Sequence, residues 1–214
     1  MTRMEIGILG VYAGIIAIWP IRYLVIGWVT RQIELLNPRS PKYNEADPPQ
    51  VTVIIPAKDE EVNLPACLTS IRAQTYPNLE ILVVDDRSTD RTGELARGQA
   101  REDPRVRVLT MTELPPGWTG KTHALQRASE HASGSWLWLL DADTRHHPDS
   151  LSVMMDYGRR ERAVLVSILP DLQCETFWEK LVQPLGGITL MQSFPLPMVN
   201  DDRKALAFAN GQSI

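Results

Sequence analysis

The sequence predicts an α/β protein in which a mostly parallel β-sheet is flanked by helices and preceded by one N-terminal membrane-spanning helix. Three observations lead to this prediction. A long apolar segment opens the chain, short apolar runs then alternate with segments of helical periodicity, and acidic residues follow three of these runs. Alternating strands and helices are typical of parallel sheets, because each crossover between parallel strands requires a long connection that is usually a helix.

The composition fits a globular protein and narrows the classes of partner. A length of 214 residues is enough for one large domain, or for a domain with an appendage. The formal net charge of −4 and the lack of a basic patch argue against nucleic acid as a partner. Cys67 and Cys174 are far apart and in no C-x-x-C context, so we expect two unreactive core thiols in a reduced compartment.

Residues 1–36 are predicted to anchor the chain in a membrane. Residues 6–29 are apolar apart from Pro20 and Arg22, and a helix that crosses a bilayer needs about 20 mostly apolar residues. Basic residues are more frequent after this segment than before it, which predicts that the rest of the chain is cytoplasmic. We therefore expect a single-pass anchor in the cell membrane with a cytoplasmic domain. A buried helix of a soluble protein is the alternative.

Residues 37–50 are rich in proline and charge and are predicted to be a linker, after which residues 51–214 form the α/β domain. Apolar runs predict buried strands at residues 51–55, 79–84, 106–110, 136–140 and 163–169. Helical periodicity and capping signals predict helices at residues 60–75, from residue 88, at 119–131 and after Pro148. Trp136 and Trp138 share one face of their strand and are expected to pack in the core.

Three of the predicted strands lead into acidic loops. The loops read PAKDEE after Ile55, DDRSTD after Val84 and DADTRHH after Leu140. Open α/β sheets bind ligands at the carboxyl ends of their strands, so these loops are the predicted site. Because carboxylates repel a bare phosphate, we expect either that a metal intervenes or that the carboxylates accept hydrogen bonds from ligand hydroxyl and N–H groups.

Asp141 and Asp143 are separated by one residue at the end of the fourth predicted strand. In an extended segment, side chains two residues apart point the same way, so the two carboxylates are expected to converge. Oxygen ligands of this kind suit Mg²⁺ or Mn²⁺. The alternative is a turn in which one aspartate caps the following helix. We expect His146 and His147 to lie in a solvated loop, because hard cations prefer oxygen ligands.

Four segments resemble the family 2 glycosyltransferases with the GT-A fold, namely VIIPAKDEEVNL, LEILVVDDRSTDRT, GKTHALQRA and LLDADT in that order. The segments PPGWTGK, DLQCETFWEKLVQP and FANGQ are most similar to the lipid-directed branch associated with hopanoid biosynthesis. The resemblance covers roughly residues 51–214. It implies metal-assisted transfer of a hexosyl group, with inversion, from a UDP-sugar to a lipid or polyprenyl-type acceptor.

The resemblance also implies roles for the first two acidic loops. Pro56, Ala57 and Glu60 would contact the nucleotide, although a charge in the first turn of a helix is the alternative reading for Glu60. Asp86 would accept a hydrogen bond from the imide N–H of uracil, and Asp85 would brace the loop.

Two further segments carry the remaining roles that the resemblance implies. Lys121 would lie near the nucleotide and its phosphates, and Gly120 before it leaves room for close approach. Asp143 would ligate a divalent cation that bridges the diphosphate, and Asp141 would reach the ribose or a metal-bound water. The cation would stabilise negative charge on the departing nucleoside diphosphate.

An inverting transfer also needs a general base that deprotonates the acceptor hydroxyl. The acidic pair Asp201-Asp202 precedes FANGQ, whereas the family's acidic motif normally follows that stretch. We therefore expect the base beyond Ile214 and a chain that is incomplete at its C-terminus. Such a chain is expected to bind a nucleotide sugar weakly and to transfer the sugar slowly or not at all.

Other readings remain open from the sequence. A non-catalytic nucleotide-sugar-binding fragment would account for the missing base. A nucleotidyltransferase would share the sheet and its carboxylates, but it is expected to have a glycine-rich, basic loop where PAKDEE stands. The apolar residues 174–200 fit either a soluble core helix or an amphipathic segment that lies on the bilayer.

Overall fold

The computed structural model describes residues 3–31, 34–169, 171, 173–201 and 203–214. The chain forms two compact units. The helical unit comprises Met1–Leu35 and Leu172–Phe208, and the sheet unit comprises Leu36–Asp171 and Ala209–Ile214. In chain order the elements are α1 (Arg3–Thr30), β1 (Val51–Ala57), α2 (Leu64–Arg72), β2 (Leu79–Asp86), α3 (Thr92–Glu102), β3 (Val106–Met111), α4 (Gly120–Ser129), β4 (Trp136–Leu139), α5 (Ser150–Glu161), α6 (Phe177–Ser193) and α7 (Leu196–Val199).

The sheet unit confirms the predicted α/β architecture. Within the described residues its sheet has four strands in the order β3-β2-β1-β4, and each neighbouring pair is parallel. Because side chains alternate along a strand, the central strands supply two cores. One core contains Val53 and Ile81 together with residues of α2, α3 and α5. The other core contains Ile54 and Leu82 together with residues of α4.

Residues 37–50, the predicted linker, make hydrogen bonds to the rest of the sheet unit. The Tyr43 N–H donates to the Ser152 carbonyl at 3.0 Å. Nearer β1, the Tyr76 hydroxyl donates to the Pro49 carbonyl at 2.7 Å. These bonds fix the segment that leads into the first strand.

The predicted fifth strand is wrong. Residues 163–169 are not a β-strand, and Val164 is 94% exposed. The edge of β4 that faces away from β1 is instead paired with the end of the chain, where the N–H and C=O groups of Leu139 and Ile214 exchange hydrogen bonds of 2.7 and 3.1 Å. Residues 163–169 lie against this terminal segment, since the Ile168 N–H donates to the Ser213 carbonyl at 3.3 Å.

The structure also corrects where two helices begin and how one strand is buried. Helix α2 begins at Leu64 rather than at residue 60, and Val62, within the predicted helix, lies before it and is 82% exposed. Helix α3 begins at Thr92, four residues after the predicted start. Strand β4 lies at the sheet edge, so Leu137 is 41% exposed although the run predicted burial on both faces.

The predicted positions of the tryptophans and of one cysteine are confirmed. Trp138 is buried and Trp136 packs against the same core. Cys67 is buried, and burial raises the pKa of its thiol to about 12. Cys174 is only half-buried, with its Sγ 3.4 Å from the Gln183 Oε1, so its predicted core position is wrong.

Helix α1 contains a candidate membrane span. Residues Ile6–Val25 form a 20-residue segment with a mean hydropathy of 1.8, and none of its described side chains is buried inside the protein. The exposed apolar surface does not fit the core helix of a soluble protein, which was the alternative from the sequence. Length and composition alone identify the span, and an N-terminal signal sequence shares both properties.

A buried glutamate ties together the strand ends farthest from the acidic loops. The Glu80 side chain is 8% exposed and accepts hydrogen bonds from the Thr52 hydroxyl at 2.6 Å and from the Ser133 N–H and hydroxyl at 3.0 and 2.7 Å. Arg107 completes the set as an ion pair. Burial alone raises the pKa of the Glu80 carboxyl, but these hydrogen bonds outweigh it and hold the pKa at about 2.

We predict that Glu80→Gln lowers the free energy of unfolding at pH 7 by about 2 kcal/mol, because a depressed carboxyl pKa is stabilisation by the charged form. That contribution is present above the ordinary glutamate pKa of 4.5 and is lost as the pH falls toward about 2. Urea unfolding of both proteins at pH 7 and pH 3, followed by tryptophan fluorescence, measures it. Glu102→Gln removes a surface ion pair with Arg72 and should cost less than about 1 kcal/mol. A deficit for Glu80→Gln that is the same at both pH values would contradict this account.

Candidate functional site

A cavity of about 560 Å³ lies at the carboxyl ends of β1, β2 and β4. Its walls are Pro56, Ala57, Lys58, Glu60, Asp86, Arg87, Leu114, Gly120, Lys121, Asp141, Ala142 and Asp143. All seven side chains that the sequence assigned to a donor site are among them. The structure therefore brings these residues together, while their individual roles stay predictions.

The sheet topology separates the acidic residues of the cavity into two groups. Asp86 ends β2, whereas Asp141 and Asp143 follow β4, and β1 lies between these two strands. Neighbouring strands are about 4.8 Å apart, so the two groups sit roughly 10 Å from each other. The cavity thus has one acidic end at β2 and a second acidic end at β4.

At the β2 end, Asp86 and Arg87 form a side-on ion pair. The Arg87 Nε donates to Asp86 Oδ1 at 2.8 Å and the Arg87 Nη2 donates to Oδ2 at 3.1 Å. The hydrogen bonds from Arg87 lower the pKa of the Asp86 carboxyl, so it is ionised at neutral pH. Arg87 has a φ of 57°, a left-handed conformation that costs energy in a residue with a Cβ.

Gly120, the first residue of α4, is packed directly against this ion pair. A Cβ added at Gly120 would overlap the Asp86 Oδ2 and would lie 3.2 Å from the Arg87 Nη2. The absence of a side chain here lets the helix start approach the carboxylate. The close approach expected at Gly120 is therefore made by Asp86.

At the β4 end, Asp141 and Asp143 lie in a turn and not in an extended strand as predicted. Strand β4 ends at Leu139, and Thr144 closes the turn by donating its N–H and hydroxyl to the Asp141 carbonyl at 3.2 and 2.7 Å. Both side chains still line the cavity. The capping alternative is also wrong, because the residue that precedes α5 is Asp149.

The two aspartates differ in their partners. The Asp141 carboxylate is half-buried and accepts a hydrogen bond from the Lys121 ammonium group. Asp143 is exposed and has no hydrogen bond or ion pair with the described residues. Lys121 occupies the second position of α4 and so stands between the helix start and the β4 end of the cavity.

The loops after β1 and β2 are joined by reciprocal hydrogen bonds, which we call the loop clasp. The Asp59 Oδ1 accepts from the Thr89 N–H at 2.7 Å, and the Asp90 Oδ2 accepts from the Glu61 N–H at 3.0 Å. In return, the Glu61 Oε2 accepts from the Arg91 N–H at 3.1 Å. Each loop therefore completes the backbone hydrogen bonding of the other.

Glu60 lies between the clasp and the cavity. Its N–H donates to the Thr92 hydroxyl at 2.8 Å, and its carboxylate accepts from the Asn63 amide at 3.0 Å. Because α2 begins only at Leu64, Glu60 precedes the helix, so the reading as a first-turn charge is wrong. Asp85 accepts from the Ser88 N–H at 3.3 Å and so braces the second loop, as expected.

The two histidines after the acidic turn behave differently. His146 is half-buried, its ring lies 4.9 Å from that of Trp138, and its Nε2 is 3.0 Å from the Thr144 hydroxyl. Burial lowers the pKa of His146 to about 4, so it is neutral at pH 7. The predicted solvated position is therefore wrong for His146, and it fits His147, which is exposed.

The carboxylates at the β4 end fit a divalent cation that takes most of its ligands from substrate phosphates and water. Among the residues described, no group of three His, Cys, Asp or Glu side chains is arranged to hold a metal ion. Asp141 and Asp143 offer two carboxylates, and Mg²⁺ usually binds one or two carboxylates together with substrate phosphates and waters. Hard oxygen donors of this kind suit Mg²⁺ or Mn²⁺ equally well.

The acidic pair nearer the C-terminus is only partly described. Asp201 accepts hydrogen bonds from the Arg203 guanidinium at 2.8 and 3.0 Å, and Asp202 lies outside the described residues. FANGQ, which follows the pair, leads into the terminal segment, where the Asp141 N–H donates to the Gln212 carbonyl at 3.4 Å. The placement of the general base stays a prediction.

The sequence did not single out Arg87, Lys58 or Leu114, which also line the cavity. The left-handed backbone that brings Arg87 beside Asp86 has no signal in the sequence, because this conformation is usual for glycine and rare for arginine.

The curated relatives of the chain are glycosyltransferases. A 4,4'-diaponeurosporenoate glycosyltransferase from Staphylococcus haemolyticus is 32% identical over 122 residues, which cover 56% of this chain and 32% of the relative. The uncharacterized glycosyltransferase YibD from Escherichia coli is 30% identical over 129 residues, which cover 60% of this chain and 34% of the relative. The chain thus spans about a third of the length of these relatives.

Solved structures and family models agree with these relatives. The mannosyltransferase PcManGT from Pyrobaculum calidifontis, in complex with GDP-Man and Mn²⁺, aligns with a TM-score of 0.53 and 28% identity over 66% of this chain and 41% of its own. The fold is therefore GT-A-like and similar to that of a nucleotide-sugar-dependent transferase. The model described as glycosyl transferase family 2 matches residues 52–209, which is more than half of the chain. This chain belongs to glycosyltransferase family 2.

Proposed function

We propose that the cavity binds a nucleotide sugar, expected to be a UDP-sugar, and that the protein transfers the hexosyl group, with inversion and metal assistance, to a lipid or polyprenyl-type acceptor. The observation that carries this proposal is the meeting of all seven sequence-predicted residues around one cavity at the strand ends. Family membership favours sugar transfer over the nucleotidyl transfer that the sequence left open.

The two acidic ends of the cavity suit the two ends of a nucleoside diphosphate. Asp86 is ionised and sits at the β2 end, where a carboxylate would accept the imide N–H of the base. Pro56 and Ala57 of β1 lie between the ends and would contact the nucleoside, with Glu60 at the start of the next loop. Asp141 and Asp143, roughly 10 Å from Asp86 across β1, would then face the diphosphate.

Asp143 and Asp141 would hold Mg²⁺ or Mn²⁺ at the diphosphate end. The cation, when bound, supplies Lewis-acid stabilisation of the charge that develops on the departing nucleoside diphosphate. Lys121 now neutralises Asp141 and has a flexible stem, so it is placed to contact phosphate oxygens once a ligand is present. The relative from Pyrobaculum calidifontis supports this proposal, since it is described with GDP-Man and Mn²⁺.

The acceptor and the membrane are proposed from separate observations. The segment Ile6–Val25 would serve as a single-pass anchor in the cell membrane that leaves the sheet unit in the cytoplasm. In α6, Phe177 and Trp178 are exposed, which favours a membrane-surface segment over a soluble core helix. The similarity of PPGWTGK and FANGQ to the hopanoid-associated branch leads us to propose a lipid acceptor of that kind.

Removal of Asp143 tests the proposed function directly. We expect wild-type protein to bind UDP at least about ten-fold more tightly with Mn²⁺ than without it, because the cation joins the carboxylate to the diphosphate. In Asp143→Ala this difference should disappear, as measured by isothermal titration calorimetry. Glu113→Gln, at an exposed acidic residue outside the cavity, is the matched control and should retain the Mn²⁺ effect. UDP affinity that ignores both Mn²⁺ and Asp143 would contradict the proposal.

Gly120→Ala tests the β2 end. The added Cβ overlaps the Asp86 Oδ2, so the carboxylate must move away from its position in the cavity. We expect UDP affinity to fall about ten-fold or more, with a destabilisation of about 1–3 kcal/mol from overpacking. The matched control is Gly98→Ala in α3, where the Cβ meets only the Arg101 Nη2 at 3.9 Å. That control should bind UDP normally and gain about 0.5–1 kcal/mol of stability.

Membrane association is tested by deleting residues 1–36. We expect the full chain to sediment with membranes, to stay in them during alkaline carbonate extraction and to be released by detergent. Carbonate removes proteins bound through surface charges, whereas a spanning helix of about 20 apolar residues stays in the bilayer. The deleted chain should be soluble. A deleted chain that still binds vesicles would assign membrane contact to residues 174–200, and carbonate release of the full chain would argue against a spanning anchor.

A further inference from the structure

The neighbour of Asp86 in the cavity has no role in the function proposed above. Arg87 lines the cavity beside Asp86, and its side chain is 27% exposed, whereas that of Asp86 is 5% exposed. A guanidinium group carries five N–H donors in a fixed plane, and two of them are used by Asp86. Three donors therefore remain beside a carboxylate whose oxygens still have free lone pairs.

We propose that Arg87 reads the nucleobase together with Asp86, so that the carboxylate accepts the ring N–H and the guanidinium donates to the neighbouring exocyclic oxygen. This inference rests on the proposed function, which places the base at the β2 end. The chemistry it selects is a ring N–H next to a carbonyl, which uracil and guanine both present. Cytosine presents a ring lone pair to the carboxylate, so that contact becomes repulsive. Where uracil has its C4 carbonyl, cytosine has an amino group, which cannot accept a hydrogen bond from the guanidinium.

The geometry separates this role from phosphate binding. Arg87 follows the end of β2, and Asp141 and Asp143 lie two strands away, at a distance of roughly 10 Å. The Nε and Nη2 atoms of Arg87 are held by the Asp86 carboxylate. Gly120 packs beside the ion pair, so that a Cβ added there would lie 3.2 Å from the Arg87 Nη2. The guanidinium is thus held at the base end and is away from the proposed diphosphate position.

The backbone of Arg87 gives an independent reason to look for a role. Its φ of 57° is disfavoured for a residue with a Cβ, and glycine would adopt it without cost. A strained conformation at a ligand cavity is a reason to propose a functional contact for that side chain. A purely structural ion pair would neutralise Asp86, but it would not require Arg87 to line the cavity with further N–H groups that Asp86 does not use.

Calorimetry with the full chain in detergent and Mn²⁺ tests the proposal with four probes: UDP, GDP, CDP and pyrophosphate. We expect wild-type protein to bind UDP or GDP about ten-fold more tightly than CDP. In Arg87→Gly, affinity for the preferred nucleotide should fall about ten-fold, while affinity for CDP and pyrophosphate should stay within about two-fold. The tighter of UDP and GDP identifies the base, and either result supports the inference.

Two further variants keep the result interpretable. Arg87→Lys keeps the charge and the strained backbone but lacks the planar fork, so it should lose most of the preference over CDP. Arg101→Ala, at an exposed arginine of α3 outside the cavity, should change none of the four affinities. Thermal unfolding of each variant shows that the sheet unit is intact.

Four outcomes would overturn the inference. Equal losses for all four probes in Arg87→Gly would assign Arg87 a structural or phosphate-binding role, and unchanged affinities would leave it without a role. Wild-type protein that binds the nucleotides without preference for a base would refute the reading of the base while leaving the proposed function in place. Failure of wild-type protein to bind any of the four would instead overturn the proposed function, and this inference with it.

Discussion

The site depends on one constraint, which is that carboxylates gathered at one edge of a parallel sheet must be balanced by positive charge. Parallel strands bring the ends of β1, β2 and β4 to the same edge, and acidic residues follow each of them. Part of this positive charge comes from the chain itself, since Arg87 forms an ion pair with Asp86 and Lys121 forms an ion pair with Asp141. Asp143 alone of the cavity aspartates is left without such a partner among the described residues, and it is the carboxylate that we propose as a metal ligand.

Much of this arrangement is readable from the sequence because it follows from periodicity. Buried runs such as residues 79–84 are strands since their apolar residues fill both faces, and the loops that follow parallel strands must share an edge. The same reasoning fails where tertiary pairing decides the outcome. Residues 163–169 have the composition of a strand, but the edge they would need at Leu139 is paired with Ile214.

The finer geometry of the site is less accessible to sequence reasoning. Asp141 and Asp143 both line the cavity, as the sequence predicted. The turn that Thr144 closes brings them there, whereas the prediction relied on the alternation of side chains along a strand. The left-handed backbone of Arg87 places its guanidinium against the carboxylate of Asp86, and no local pattern in the sequence predicts that conformation. Burial of His146 likewise arises from packing on Trp138, a contact between a loop and the edge strand.

The loop clasp limits how the rim of this cavity can be altered by engineering. The backbone of the Asp59–Glu61 stretch is satisfied by side chains of the second loop, and the reverse also holds. Exchanging one of these loops with that of a relative would leave polar groups of the other unsatisfied at the rim of the cavity. The two loops therefore form a single structural unit, and a graft will keep these hydrogen bonds only when both loops are transplanted together.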